Sequence, residues 1–214
     1  MIDEIVIASS NRAKIVEISQ ILSHLPIGIL AAAELGSPSS VEETGASYLE
    51  NARIKARAVV EATGRPALAE DSGLEVDALG GGPGIRSARL AGPDATDEEN
   101  NAQLISLMAG APEGERRACY RCVAVALFPD GTEIVAEGAC EGTIAMKARG
   151  TGGFGYDPWF IPAGETRAMA ELSSQEKHAI SHRGRALRDL AARLQGYLAG
   201  GSAGRPASTA PRRA

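Results

Sequence analysis

The chain has 214 residues, 44% of them apolar and only 4% aromatic, so there is enough chain for one sizeable core built of Ala, Leu, Ile and Val. Against 27 Asp and Glu there are 22 Lys and Arg, a formal charge of −5, which excludes a broad basic surface for a nucleic-acid polymer but leaves room for an anionic small molecule where a few cations gather. The three cysteines, the lack of a basic stretch before Ile5 and the lack of a long apolar run give the expectation of a cytoplasmic protein with no disulfide framework and no membrane span.

Ile2–Ser9 reads as a buried strand. The polar turn Ser10-Asn11-Arg12-Ala13-Lys14 follows, and Ile15, Ile18, Leu22 and Leu25 then recur at helical spacing to about His24. The exposed N–H groups of such a turn, the helix dipole and the side chains of Asn11 and Lys14 suit phosphate oxygens. A plain turn capped by Ser10 or Asn11 would carry the same residues, and the glycines of a P-loop are absent. A second short strand over Ile27–Ala31 leads into a Ser-, Pro- and Glu-rich loop bearing Glu42-Glu43-Thr44-Gly45. Ser47-Tyr48-Leu49-Glu50 is a capping box that opens a helix to Thr63, stopped by Gly64. Tyr48, Leu49, Ala52, Ala56 and Val59 share one face of it, with Asn51 and Lys55 at the edge, where Lys55 either snorkels or points into a cleft.

Ala67–Arg89 is the stretch around which the chain is organised. An apolar run ends in Glu70-Asp71, and a Gly-rich turn spans Gly80–Gly84. Two carboxylates at a strand end beside a flexible loop suit a metal or a general base, though such a pair more often marks a solvated boundary. Thr96-Asp97-Glu98-Glu99 is a second capping box, opening a helix to about Met108. Ala118–Phe128 and Glu133–Cys140 flank the hairpin turn Pro129-Asp130-Gly131-Thr132, and a third strand is expected at Gly142–Met146, so the sheet is mixed. Cys119 and Cys122 lie three apart on a strand, point to opposite faces and cannot share a zinc ion. Arg149–Pro158 is Gly-rich, which lets the backbone approach a ligand, and its Phe154 can stack on a planar base. A helical turn holding Lys177 and His178 precedes Ser181-His182-Arg183, which opens a last helix striped by Leu187, Leu190, Leu194 and Leu198. His182 and Arg183 carry several donors that can read carbonyl oxygens on a heterocycle, or serve as a cap. Residues 199–214 are low in complexity and expected to be disordered, and no linker divides 1–198.

Ser9-x-Asn11-x-x-Lys14, Glu42-Glu43-Thr44-Gly45, Glu50-Asn51-x-x-x-Lys55, Glu70-Asp71-Ser72-Gly73, Gly82-Pro83-Gly84 with Ser87 and Arg89, Gly152-Gly153-Phe154-Gly155-Tyr156-Asp157-Pro158 and Ser181-His182-Arg183 occur in one order. Together they resemble the inosine triphosphate pyrophosphatase family, over the chain from the first strand to about Leu198. The resemblance implies an α/β, two-lobed mixed-sheet fold with the active site in a central cleft, a homodimer, and Mg²⁺-dependent hydrolysis of dITP, ITP and XTP to the monophosphate and pyrophosphate. Alternatives are a pyrophosphatase for other modified nucleotides and a catalytically silent nucleotide sensor. Roles carried over by the resemblance are Asp71 as base and metal ligand, with Glu42 and Glu43 also at the metal. Asn11, Lys14 and Lys55 would bind the phosphates, Phe154, Asp157, Lys177, His182 and Arg183 would form the nucleoside site, and Ser9, Ser10, Ser72, Gly155 and Tyr156 would also bind the substrate. Ser9 stands where the family usually has Thr, and Glu70 where many members have Asp, which leaves the role of Glu70 open.

Overall fold

A parallel pair of strands and an antiparallel ribbon share one sheet. In the computed structural model, which describes residues 3–37 and 41–198, six strands run in the order β2-β1-β3-β4-β5-β6. They are β1 (Glu4–Ile7), β2 (Gly28–Ala31), β3 (Ala67–Val76), β4 (Arg117–Leu127), β5 (Glu133–Ile144) and β6 (Phe160–Pro162). β1 lies parallel to β2 and β3, and every pairing from β3 to β6 is antiparallel. The helices are α1 (Arg12–Leu22), α2 (Tyr48–Thr63), α3 (Asp97–Leu107), α4 (Ser174–Ile180) and α5 (His182–Leu198).

The helix starts follow their local chemistry. Asn11 caps α1 by accepting the Lys14 N–H, Ser47 caps α2 through the Glu50 N–H, and Thr96 and Glu99 cap α3 reciprocally. At α2 the box is only half formed, because the Glu50 carboxylate takes the Ala46 N–H instead of that of Ser47. α1 ends at Leu22, short of His24, and Gly64 ends α2 in a left-handed conformation.

Two expectations for the strands change. β3 does not end at Glu70-Asp71 but continues through them to Val76, paired residue by residue with β4. No separate strand starts at Gly142: β5 runs on to Ile144, and the next strand is Phe160–Pro162. Gly142 is a site of close approach, not a boundary, since a Cβ there would meet the Ile161 carbonyl and the Phe160 ring.

Three apolar clusters position the site. Leu68, Ala124 and Ala126 of one sheet face pack with Ile5, Ile7 and Ile18 and with Leu187, Leu190 and Leu194 of α5. Further along that face, Leu74, Val76 and Tyr120 pack with Leu104, Met108 and Phe160. Between Leu68 and Leu74 the same face carries Glu70 and Ser72, so the polar gap between the two apolar clusters becomes a cleft. The opposite face buries Ala67, Ala69 and Val125 against Ala52, Ala56 and Val59 of α2. Among the described residues no helix is long and apolar enough to cross a membrane.

Candidate active site

The period of two along β3 sends its adjacent carboxylates to different faces and different partners. Glu70 and Asp71 therefore do not form one acidic site. Glu70, 4% exposed, accepts an ion pair from Lys14 at 2.8 Å and a longer one from Arg183 at 3.4 Å. Asp71, 5% exposed, turns toward α2, where Lys55 Nζ lies 2.9 Å from Oδ1 and Asn51 Nδ2 donates to Oδ2 at 3.2 Å. The same Lys55 Nζ is 2.7 Å from Glu43, whose other oxygen accepts from Arg89 at 2.8 Å. Glu43 and Asp71 thus face each other across one ammonium. Glu42 is exposed and lines the outer cleft without a hydrogen bond or ion pair to the described residues.

The cleft has two ends that meet at the β1–α1 turn. Its outer end is lined by Ser9, Ser10, Glu42, Glu43, Lys55 and Arg89. Its deep end is lined by Ser72, Phe154, Gly155, Lys177, His182 and Arg183, among others, and Asn11 and Lys14 border both ends. Every residue expected in the site therefore borders the cleft, except Asp71, which sits behind Lys55.

Glu17 organises the deep end, and no local sequence signal marked it. It lies one turn beyond Lys14 on α1, and its two oxygens hold Lys177 and Arg183 at 2.6 Å each. Lys177 is also 2.6 Å from Asp157, and Arg183 donates to Ser72 Oγ at 3.1 Å. The Phe154 ring stands 4.7 Å from Lys177 Nζ and 5.3 Å from Arg183 Cζ. These are cation–π distances. Asp157 accepts the Phe154 N–H at 3.0 Å, and the Tyr156 hydroxyl donates to the Ser87 carbonyl at 2.7 Å, so both side chains hold the loop in place. Gly153 is required there, because it adopts φ +71° and a Cβ would run into the Asp157 carboxylate.

Arg183 and His182 are placed by the first turn of α5, which approaches β5 at Gly138, where a Cβ would strike the His182 carbonyl and the Ala186 N–H. His182 stacks on Tyr120 with centroids 4.5 Å apart and planes 5° from parallel. His182 Nδ1 and Arg183 Nε are buried with no hydrogen-bond partner among the described residues. His24 and His178 stay outside the cleft.

Charge states follow from these contacts. Burial opposes the Glu70 charge, but Arg183, Lys14 and Lys55 outweigh it and hold the carboxyl well below its ordinary 4.5. Glu17 is likewise lowered, burial being overcome by Arg183 and Lys177. Asp71 moves the other way: burial lifts it above 3.8, Lys55 opposes the lift, and Glu43 adds to it. Burial, assisted by Arg183, pushes His182 well below 6.5, so the ring is neutral at pH 7.

Among the described residues no three His, Cys, Asp or Glu side chains converge into a metal cage. The donor set on offer is two carboxylates, Glu43, which lines the cation-rich cleft, and Asp71, which shares the Lys55 ammonium with it from behind. That set fits a hard ion which takes one or two carboxylates and completes its shell with water and substrate phosphates, as Mg²⁺ does.

The Ham1 family profile matches residues 5–193. The dITP/XTP pyrophosphatase of Methylococcus capsulatus is 46% identical over 199 residues, covering 92% of this chain and 98% of its own. That of Streptomyces coelicolor is 47% identical over 188 residues, covering 87% and 94%. Among solved structures, a HAM1 protein from Coxiella burnetii superposes with a TM-score of 0.82 at 42% identity, covering 91% of this chain and 99% of that one. With the motifs, the sheet and the matched span in agreement, this chain belongs to the Ham1 family.

Proposed function

We propose that the chain hydrolyses non-canonical purine nucleoside triphosphates, dITP, ITP and XTP, to the monophosphate and pyrophosphate, and so cleanses the nucleotide pool. The dITP/XTP pyrophosphatase relatives support the reaction class. The observation that carries the base preference is the donor pair Lys177 and Arg183, anchored from behind by Glu17 and set against Phe154.

Lys and Arg have donors and no acceptor. A 6-oxo purine stacked on Phe154 offers them an oxygen, whereas adenine offers an amine and leaves the donors unpaired. Sites built on such pairing discriminate by orders of magnitude. His182, kept neutral, presents one donor and one acceptor and completes the rim without adding a charge.

At the outer end, Asn11, Lys14 and Lys55 take the phosphate oxygens, and Ser9 and Ser10 line the turn that receives them. Glu43 and Asp71 would hold Mg²⁺, which when bound would polarise the phosphate oxygens and neutralise their charge. Asp71 accepts the proton of the attacking water. Asn51 fixes the carboxylate's orientation through Oδ2. Glu42 lines the same end but, unlike Glu43, does not meet Lys55 beside Asp71, which makes it an accessory to the metal rather than the main ligand. The family resemblance supports Mg²⁺, a cytoplasmic homodimer, and 1–198 as one catalytic unit.

The test is pyrophosphate release from a nucleotide panel with Mg²⁺. dITP and XTP should turn over at least about a hundredfold faster than dATP, and equal rates would sink the base reading. A nucleotide sensor without activity would bind the same panel with no release.

A further inference from the structure

The hydrogen bonds from α3 to the Gly-rich loop go to one residue, Gly155, and hold it through both its N–H and its carbonyl. Asp97 Oδ2 accepts the Gly155 N–H at 2.6 Å, and Asn101 Nδ2 donates to the Gly155 carbonyl at 3.0 Å. Asp97 and Asn101 are four apart on the helix, so they share a face and reach one target. Gly155 adopts φ +61° and follows directly on Phe154, so what fixes Gly155 sets the direction in which the Phe154 ring leaves the backbone.

Asn101 shows that the contact does more than pack. Its Oδ1 is buried without a hydrogen-bond partner among the described residues. A buried acceptor left unpaired opposes folding, and an apolar side chain of similar shape would fill the same space without that penalty. What the amide adds is the bond to Gly155. Asn101 also lies outside the residues that line the cleft, so it acts on a ligand only through the loop.

We propose that Asp97, which borders the deep end, and Asn101, which does not, form a two-point clamp on Gly155 that positions Phe154 over Lys177 and Arg183, making Asn101 a positioning residue for the nucleoside end of the site. The proposal rests on the substrate reading above for the identity of the ligand, but not for the clamp itself. Neither residue touches the outer end, where Lys55 and Glu43 lie, so the clamp controls affinity for a purine nucleoside monophosphate and leaves affinity for inorganic pyrophosphate alone.

The experiment uses the full chain with Asn101→Leu, Asp97→Ala and, as a control with the same loss of charge in the first turn of α3, Glu98→Ala. Binding of inosine monophosphate and of pyrophosphate is measured by calorimetry, thermal stability by unfolding, and the Gly155 amide by hydrogen exchange. Losing one such bond should weaken inosine monophosphate binding roughly three- to tenfold in each clamp variant. Pyrophosphate binding should not move, Gly155 should exchange roughly tenfold faster or more, and Asn101→Leu should melt no lower than the parent. Unchanged Gly155 exchange overturns the clamp, as does unchanged inosine monophosphate affinity in either clamp variant. Parallel loss of both ligands together with stability, or an equal effect in Glu98→Ala, shows a structural role only and also overturns it. If the parent protein binds no inosine monophosphate, the substrate reading fails, and Gly155 exchange still decides the clamp.

Discussion

Glu17→Gln tests how the deep end is held together. In the native chain both Glu17 oxygens carry a buried cation, Lys177 on one and Arg183 on the other, each at 2.6 Å. The substitution keeps one acceptor and turns the other end of the side chain into a donor, which then faces a cation. Around it the charges are balanced, Glu17, Glu70 and Asp157 against Lys14, Lys177 and Arg183, so the change leaves one positive charge uncompensated. Breaking a buried pair by neutralising one partner costs about 3–5 kcal/mol. Here Asp157 still serves Lys177, Glu70 still serves Arg183, and one neutral hydrogen bond survives, which reduces the expected loss to about 2–3 kcal/mol. Against a usual total of about 5–15 kcal/mol that is a large fraction. Urea unfolding at neutral pH, followed through the lone Trp159, measures it, and KM for dITP should rise with it as Lys177 and Arg183 lose their common anchor. A loss under about 0.5 kcal/mol with an unchanged KM would refute the claim that Glu17 organises this end.

Asp71→Asn should abolish turnover while nucleotide binding, measured by calorimetry, persists; retained activity would remove Asp71 from the role of base. Phe154→Ala should weaken inosine nucleotide binding by about 1–3 kcal/mol and leave pyrophosphate binding unaffected, since base stacking is confined to the deep end. Stability should fall as pH drops through two windows. His182 is held neutral in the fold but protonates in the unfolded chain below about 6.5, so the unfolded state binds more protons there and stability falls with pH, by about 1.4 kcal/mol per unit for one group. Glu17 and Glu70 have lowered values in the fold, so their contribution is full above about 4.5 and is lost as pH falls below it. His182→Gln should flatten the upper window, leaving the smaller share of His178, whose value burial also lowers, and keep the lower one.

What was legible in the sequence was local. Ser47 with Glu50 and Thr96 with Glu99 mark helix starts because a cap is decided within one turn, and Pro129–Thr132 marks a hairpin for the same reason. The ordered motifs located most of the side chains that border the cleft, but not Asp97, Asn100 or Tyr120 at its deep end. Misread features were those whose meaning lies across the fold. Gly142 looks like a break until β6 is seen running against it. Glu70-Asp71 looks like a strand end because charge usually marks solvent, whereas here Lys14 and Lys55 meet the two carboxylates on opposite faces and let the strand continue. Glu17 carried no signal at all: a Glu on an amphipathic helix is usually solvated, and the two cations that bury this one come from α4 and α5 at the far end of the chain. Asn101 was hidden in the same way, as an ordinary residue two places beyond a capping box. The expected tail, residues 199–214, lies outside the described residues.

In the proposed reaction water attacks the α-phosphorus of a 6-oxo purine triphosphate held between Phe154 and the Lys14–Lys55 end of the cleft. Single turnover of dITP in ¹⁸O-labelled water with Mg²⁺ tests it most directly, by locating the label in the products. One labelled oxygen is expected in the nucleoside monophosphate, with pyrophosphate unlabelled and almost no turnover of dATP under the same conditions. Label in pyrophosphate or in orthophosphate, or dATP consumed as fast as dITP, would contradict it.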